Sequence, residues 1–247
     1  MQMEAIPNRD FGTNVTSGTT QSIVNPTRAT LTTMATTTAP VYPTLKLTYF
    51  EMPGRAHVSR LALVIAGIPF EDERISQEAW PALKPTLPYQ QMPTLTVDGQ
   101  VFAQAHAIER YVGSLSGMYP TSNRLHALLV DEIVDFLDDI TKLLMPSFFE
   151  QDPDKKKVLR EELAATSFPR MFGFLEARLV ALPSKGPYVL DSISIADLAI
   201  HGIMLMMTSG FLDHIPQDIC DKYTRTMGVF KAVQAHPKVI EWFAKCD

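Results

Sequence analysis

Apolar residues follow two different spacings along the chain, and the change of spacing predicts two parts with different structure. The stretch LKLTYF, which begins at Leu45, has the pattern of a buried strand, and the apolar residues after it recur at helical intervals up to Gly67. Around Trp80 the sequence allows a single helical turn, and Asp98-Gly99 is a hairpin turn signal. The predicted strands are 45–50, 69–75, 94–97 and 100–102, and the predicted helices are 58–67 and 104–114. The order is βαβ followed by ββα.

Every apolar pattern after the polar connector SGMYPTSNR has the helical period. The predicted helices there are 124–150, 155–182, 194–209, 222–235 and 237–246. The third of them has a clear start, because Ser194 has the position of an N-cap and Asp197 follows three residues later, as a capping box requires. The sequence therefore predicts an α/β domain over residues 45–119 and an all-helical domain over residues 124–247.

Residues 1–44 differ from the rest in composition. They are crowded with Thr, Ser, Asn and Pro and lack periodicity, which predicts a disordered tail. The Ser/Thr richness also fits a transit peptide, although the acidic residues Glu4 and Asp10 argue against that interpretation. The segment lacks the apolar region of a secretory signal, and no apolar run in the chain approaches the roughly 20 residues of a membrane span. We expect neither secretion nor membrane insertion.

Composition and charge exclude several functional classes. A net charge of −5 and a hydrophobic content of 46% are those of an ordinary soluble protein without a basic surface for nucleic acid. Cys220 and Cys246 lie outside any CxxC or metal-ligand spacing, which favours a reducing, cytoplasmic compartment. The six histidines form no H-x-x-x-H pair and lack the carboxylate framing of a zinc site. We therefore expect no metal site, and we expect ordinary core or surface histidines.

Pro93 stands at the entrance of a predicted strand, in the stretch YQQMPTLTVDGQ, although proline has no N–H to donate. One interpretation is a cis bond after Met92, which would turn the backbone groups of that residue outward toward an extended, peptide-like ligand. The other is that proline simply begins an edge strand. Local pattern alone leaves both open.

Four strings carry a resemblance to a known family: LTYFEMPGRAHVSRLAL, ERISQEAWPALKPTLPYQQMPTLTVDG, QAHAIERYV and VDEIVDFLDD. Together with the βαβ-ββα order and the helical second half, they resemble the glutathione transferases, in particular the sigma class, which includes glutathione-dependent prostaglandin D synthases. The resemblance implies a thioredoxin-like first domain, an all-α second domain, glutathione as co-substrate, a hydrophobic electrophile as second substrate and a homodimer.

Glutathione chemistry requires that the thiol be ionised. A thiol with a pKa near 8.5 becomes mostly thiolate at pH 7 if its pKa falls by about two units, or roughly 2.7 kcal/mol. Tyr49 ends the first strand, where its phenol can donate to a sulfur atom in a cleft, and the resemblance makes it the catalytic tyrosine. The alternative is an interior strand tyrosine whose hydroxyl donates to the backbone.

The resemblance also implies residues that bind glutathione. Arg55 would help position the tyrosine and the thiol, and Trp80 and Lys84 would bind the glycyl carboxylate. Without the family, AWPALK would more often be a surface turn. The remaining members of the set are the backbone clamp Gln90, Gln91, Met92 and Pro93, and the helix start Gln104 and Ala105, which suits the γ-glutamyl carboxylate.

Ala105 departs from the family pattern, which usually has Gln-Ser at this helix start. One hydroxyl donor to the γ-glutamyl carboxylate is missing, and losing a hydrogen bond to a charged group costs about 1.5 to 3 kcal/mol. The sequence therefore leaves the efficiency of glutathione binding open.

A stripe of four aspartates lies on one face of the first long helix. Its members are Asp131, Asp135, Asp138 and Asp139, at i, i+4, i+7 and i+8. The resemblance places this face at the dimer interface, with Asp139 reaching the γ-glutamyl amine in the other subunit's site. The alternatives are a solvated acidic face softened by Lys142 and a divalent cation shared between two stripes.

The expected function is transfer of the glutathione thiolate to a hydrophobic electrophile. The acceptor pocket would lie between the domains, bordered by Phe50, Met52 and residues 144–149. Isomerisation of a lipid peroxide ranks second, because the first long helix has no tryptophan near its end. A non-catalytic binding or structural protein, such as a lens crystallin on the same scaffold, is the rival from another class. Tyr49 favours the enzyme, and Ala105 counts mildly against it.

Overall fold

The computed structural model describes residues 41–184 and 186–245. The predicted tail lies outside this part of the chain except for residues 41–44, which have no regular secondary structure and lead directly into the first strand. Cys246, which was expected to end the last helix, also lies outside the described residues.

Four strands form one mixed sheet. They are β1 (Leu45–Phe50), β2 (Glu71–Ile75), β3 (Thr94–Val97) and β4 (Gln100–Ala103), in the spatial order β2-β1-β3-β4. β1 runs parallel to β2 and antiparallel to β3, and β3 pairs antiparallel with β4 across the predicted Asp98-Gly99 turn. β1 is an inner strand, which explains why Leu47 is fully buried. β2 is an edge strand with the sequence Glu-Asp-Glu-Arg-Ile, and its charged residues disfavour pairing with another chain.

Nine helices are found in the described ranges. They are α1 (His57–Ala66), α2 (Trp80–Leu83), α3 (Ala105–Ser116), α4 (Arg124–Phe149), α5 (Pro153–Glu162), α6 (Phe168–Val180), α7 (Ile195–Thr208), α8 (Thr224–Gln234) and α9 (Pro237–Phe243). Short 3₁₀ turns occur at Gly54–Ala56, Lys84–Thr86 and Pro88–Gln90. The predicted fold class, a thioredoxin-like α/β part followed by an all-helical part, is confirmed. None of these helices is both long and apolar enough to cross a bilayer.

One helix was predicted as a single element over 155–182 and is interrupted in the structure. A π-helical turn, Leu163–Ser167, separates α5 from α6. Pro169 lies at the start of α6 and has no N–H with which to continue the α-helical hydrogen-bond ladder, which accounts for the break at this position. The predicted capping box of α7 is present, because the Ser194 N–H donates to Oδ2 of Asp197 at 2.7 Å.

The α/β part contacts the helical part where α1 packs against α7. A pair of buried histidines lies at this junction, with Nε2 of His57 and Nδ1 of His201 2.9 Å apart. Burial lowers the pKa of His57 to about 3 and that of His201 to about 4, so both rings are neutral at pH 7. Gly202 permits the close approach, since a Cβ there would lie 2.9 Å from the His57 ring.

Candidate active site

The sheet register brings three predicted glutathione-binding segments together at one end of the strands. Pairing of β1 with β3 ends at Thr48 and Thr94, and Thr94 is also opposite Ala103, the last residue of β4. The next residue along each strand is therefore a neighbour of the others at this end of the sheet: Tyr49 on β1, Pro93 before β3 and Gln104 after β4. Neighbouring strands lie about 4.8 Å apart, so these three positions border one surface.

Tyr49 has a buried ring and a hydroxyl without a partner. Its side chain is only 8% exposed, yet within residues 41–184 and 186–245 the phenol takes part in no hydrogen bond. A Cβ on Gly54 would lie 2.7 Å from the Tyr49 hydroxyl, so the loop after β1 can approach this group only with glycine. The backbone acceptor that the interior-strand alternative expects is not found among the described residues. The hydroxyl is available to a ligand.

Arg60 holds the loop that follows Tyr49, and it was not among the site residues predicted from the sequence. Its guanidinium, 4% exposed, donates to the carbonyl oxygens of Phe50 at 3.0 Å and Met52 at 2.8 Å, and its Nε donates to Asp72 at 2.8 Å. The same guanidinium lies 5.9 Å from the centre of the Tyr49 ring. The sequence feature that could have indicated this role is the single charged residue within the apolar run VSRLALVIA.

Aromatic contacts connect Tyr49 to the predicted carboxylate-binding pair. Phe50 packs edge-on against Tyr49, with centroids 5.4 Å apart, and against Trp80, at 5.5 Å. Lys84 begins the next 3₁₀ turn, is exposed, and forms no ion pair within the described part of the chain. The Trp80 indole N–H likewise has no partner there. The Lys84 ammonium and the Trp80 indole N–H are therefore available to bind an anion.

The Met92-Pro93 bond is cis, as the first of the two interpretations of this proline expects. The side chain of Gln104 donates to that of Gln91 at 3.2 Å, so two separate predicted segments are joined by a hydrogen bond. Gln104 has a φ of 79°, a left-handed value that costs free energy in residues with a side chain. Such strain is often retained at ligand-binding sites. Gln90, with a φ of 52°, is also left-handed.

The first turn of α3 carries no side-chain cap. Gln104 occupies the N-cap position without accepting a hydrogen bond from the helix, and Ala105, the first helical residue, is buried. The first N–H groups of a helix have no partner within it, and they attract anions together with the helix dipole. This helix start can therefore hold a carboxylate, although Ala105 adds no hydroxyl.

Asp138 connects Arg55 to α3. Its Oδ1 atom lies 3.4 Å from a guanidinium nitrogen of Arg55 and 3.8 Å from Nε2 of His106, whose Nδ1 is 2.8 Å from Glu109. The hydrogen bond with Glu109 raises the pKa of His106, an effect opposed by burial. His106 was expected to be an ordinary histidine, but it is framed by two carboxylates. The i,i+3 pair His-x-x-Glu was the sequence signal.

The other aspartates of the stripe differ in their surroundings. Asp131 accepts a hydrogen bond from Tyr119 at 2.9 Å, and Asp139 is 59% exposed and pairs with Lys142 at 3.0 Å.

A cavity of about 410 Å³ between α4 and α6 is lined by the following residues: Glu132, Ile133, Asp135, Phe136, Asp139, Phe174, Leu175 and Arg178. In the described ranges no cluster of three or more His, Cys, Asp or Glu side chains could hold a metal ion.

The predicted acceptor pocket needs one correction. Leu144 is fully buried in the core and cannot border an open pocket, because its side chain faces the helical interior. Met52, 42% exposed, and Phe149, 76% exposed, are accessible, and Phe50 is half-buried between Tyr49 and Trp80. Phe148 is half-buried, with its ring 6.2 Å from that of Phe211.

Comparison with known proteins agrees with this arrangement. Residues 45–114 match the family described as "Glutathione S-transferase, N-terminal domain", and residues 138–246 match "Glutathione S-transferase, C-terminal domain". Hematopoietic prostaglandin D synthase of Gallus gallus is 32% identical over 203 residues, which cover 82% of this chain and 96% of the relative. Glutathione S-transferase 1 of Ascaris suum is 34% identical over 211 residues, covering 82% and 97%.

Solved structures show the same relationship. The prostaglandin synthase D of Nilaparvata lugens superimposes with a TM-score of 0.73 at 34% identity, covering 82% of this chain and 98% of that one. The glutathione S-transferase of Ascaris lumbricoides gives a TM-score of 0.73 at 33% identity, covering 83% and 98%. The protein belongs to the glutathione S-transferase family.

Proposed function

We propose that this protein is a cytoplasmic, sigma-class-like glutathione transferase that joins the glutathione thiolate to hydrophobic electrophiles in detoxification. The observation that carries the proposal is the Tyr49 hydroxyl. It lies at the end of β1 on a buried ring, it has no partner in the described part of the chain, and Gly54 leaves space beside it.

Tyr49 would act by donating a hydrogen bond to the glutathione sulfur. Bringing the thiol pKa from near 8.5 to near 6.5 requires about 2.7 kcal/mol of preferential stabilisation of the thiolate. A hydrogen bond to a charged acceptor contributes about 1.5 to 3 kcal/mol, so one phenol supplies most of this amount. The thiolate then attacks the electrophile, and the new carbon–sulfur bond forms as the leaving group departs with its electron pair.

The rest of the site would hold the peptide. Lys84 and the Trp80 indole suit the glycyl carboxylate, and the first turn of α3, at Gln104 and Ala105, suits the γ-glutamyl carboxylate. The peptide backbone would pair with Met92 beside Gln90 and Gln91, ahead of Pro93. The electrophile would contact Phe50 and Met52.

A homodimer completes the proposal. Asp139 is exposed beside the cavity between α4 and α6, and from there it would reach the γ-glutamyl amine in the partner's site. Residues 45–119 and 124–247 would be the two domains of each subunit. Retention on immobilised glutathione, combined with the mass in solution, tests both points.

The test of the proposal is turnover of a generic aryl halide. Tyr49→Phe should lower kcat about a hundredfold, which corresponds to the loss of roughly 2.7 kcal/mol. The matched control is Tyr111→Phe, which removes the hydroxyl of an exposed tyrosine on α3 and should leave turnover unchanged. A folded dimer that does not bind glutathione would instead support the hypothesis of a non-catalytic binding or structural protein.

A second candidate is glutathione-dependent isomerisation of a lipid peroxide. It is favoured by the relatives in Gallus gallus and Nilaparvata lugens, which are named as prostaglandin D synthases. Product analysis with a lipid endoperoxide distinguishes the candidates, since isomerisation returns glutathione unchanged and conjugation consumes it.

A further inference from the structure

His106 lies in the first turn of α3 between two carboxylates on different helices. Its Nδ1 atom is 2.8 Å from Oε2 of Glu109, one turn later in α3, and its Nε2 atom is 3.8 Å from Oδ1 of Asp138 in α4. Glu109 is 4% exposed, and the side chain of Asp138 is 17% exposed. The ring, 30% exposed, therefore bridges the start of α3 and the aspartate stripe.

Asp138 is shared between His106 and Arg55. The oxygen that faces the His106 ring is also 3.4 Å from the Arg55 guanidinium, while the other oxygen is 3.2 Å from the Lys142 ammonium. A proton on His106 thus changes the charge balance at the carboxylate that Arg55 contacts.

The surroundings of His106 favour its protonated form. The Glu109 hydrogen bond raises the pKa of His106 above its usual value of 6.5, and Asp138 and Asp135 raise it further, whereas burial lowers it. The cations that face the same carboxylates are Arg55 and Lys142. The ring consequently keeps its proton to a higher pH than an unperturbed histidine.

We infer that His106 is a positioning residue of the glutathione site, acting through Asp138 on Arg55 and on the charge beside the first turn of α3. The inference rests on the proposed function. When the ring is protonated, it balances Glu109 and shares Asp138 with Arg55. When the proton leaves, the local charge becomes one unit more negative and Asp138 holds Arg55 more strongly. Glutathione, with two carboxylates, then binds more weakly.

The test measures the binding of S-methylglutathione by calorimetry at a series of pH values. This ligand has no thiol, so ionisation of a thiol does not contribute to the pH dependence. Affinity of the wild-type protein should fall about three- to tenfold between about pH 6 and about pH 8.5. His106→Gln, which is neutral throughout, should remove this fall. The control His126→Gln, at an exposed histidine in the first turn of α4, should retain it.

An independent readout comes from the free protein. NMR titration of the His106 ring, assigned by its loss in His106→Gln, should give a midpoint above 6.5 that decreases in Glu109→Gln. If His106→Gln shows the same pH dependence of binding as the wild type, the inference is overturned and the proposed function stands. If the wild type binds no S-methylglutathione at any pH, the proposed function fails, and the inference fails with it.

Discussion

Replacing Arg60 with methionine tests whether this buried cation holds the catalytic loop. The substitution keeps most of the aliphatic length and removes three charged hydrogen bonds, to Asp72 at 2.8 Å, Met52 O at 2.8 Å and Phe50 O at 3.0 Å. Asp72 keeps a second ion pair, with Arg74 at 3.0 Å, so the main cost is that of the Phe50 and Met52 carbonyls left without a donor, about 1 to 3 kcal/mol each. We expect a loss of that size in the free energy of unfolding.

Urea unfolding followed by circular dichroism measures the change in free energy. The matched control is Lys46→Met, which removes a cation from β1 but breaks only a part-exposed pair with Glu73. Such surface pairs contribute about 0 to 1 kcal/mol. Arg60→Met should also lower transferase activity, since the loop after Tyr49 loses two donors. Equal destabilisation by both variants would refute the assignment of Arg60 as the residue that holds this loop.

Two further predictions concern the histidine pair and the loop glycine. Because burial lowers the pKa of His57 to about 3 and of His201 to about 4, their contribution to stability is present above the unfolded value of 6.5 and is lost as pH falls below it. We expect a loss of about 3 kcal/mol for each histidine by about pH 4, reduced in His57→Asn, in acid unfolding followed by circular dichroism; equal acid sensitivity in both proteins would contradict this. Gly54→Ala should lower turnover at least tenfold with a smaller effect on stability, because its Cβ would lie 2.7 Å from the Tyr49 hydroxyl; full activity would contradict it.

Elements with strong local signals could be predicted from the sequence. The Asp98-Gly99 turn, the strand Leu45–Phe50 and the capped start of α7 at Ser194 were correct because each depends on residues adjacent in the chain. The π-helical turn Leu163–Ser167 was missed, because helical periodicity continues across it and the significance of Pro169 for the break was not recognised.

The site was harder to predict because its contacts join distant segments. Arg60 and Asp72 lie in different elements, as do His106 and Asp138, and no periodicity links them. The fact that Leu144 faces the core follows from the packing of α4 against its neighbours rather than from its position near the helix end. Roles carried by resemblance, including that of Tyr49, remain predictions.

The most direct test of the central claim is the pKa of the glutathione thiol bound to the protein, measured by ultraviolet absorbance of the thiolate. We predict a midpoint about two units below that of free thiol, returning to about 8.5 in Tyr49→Phe. A bound thiol that titrates like free glutathione in the wild-type protein would contradict the claim that the Tyr49 hydroxyl stabilises the thiolate.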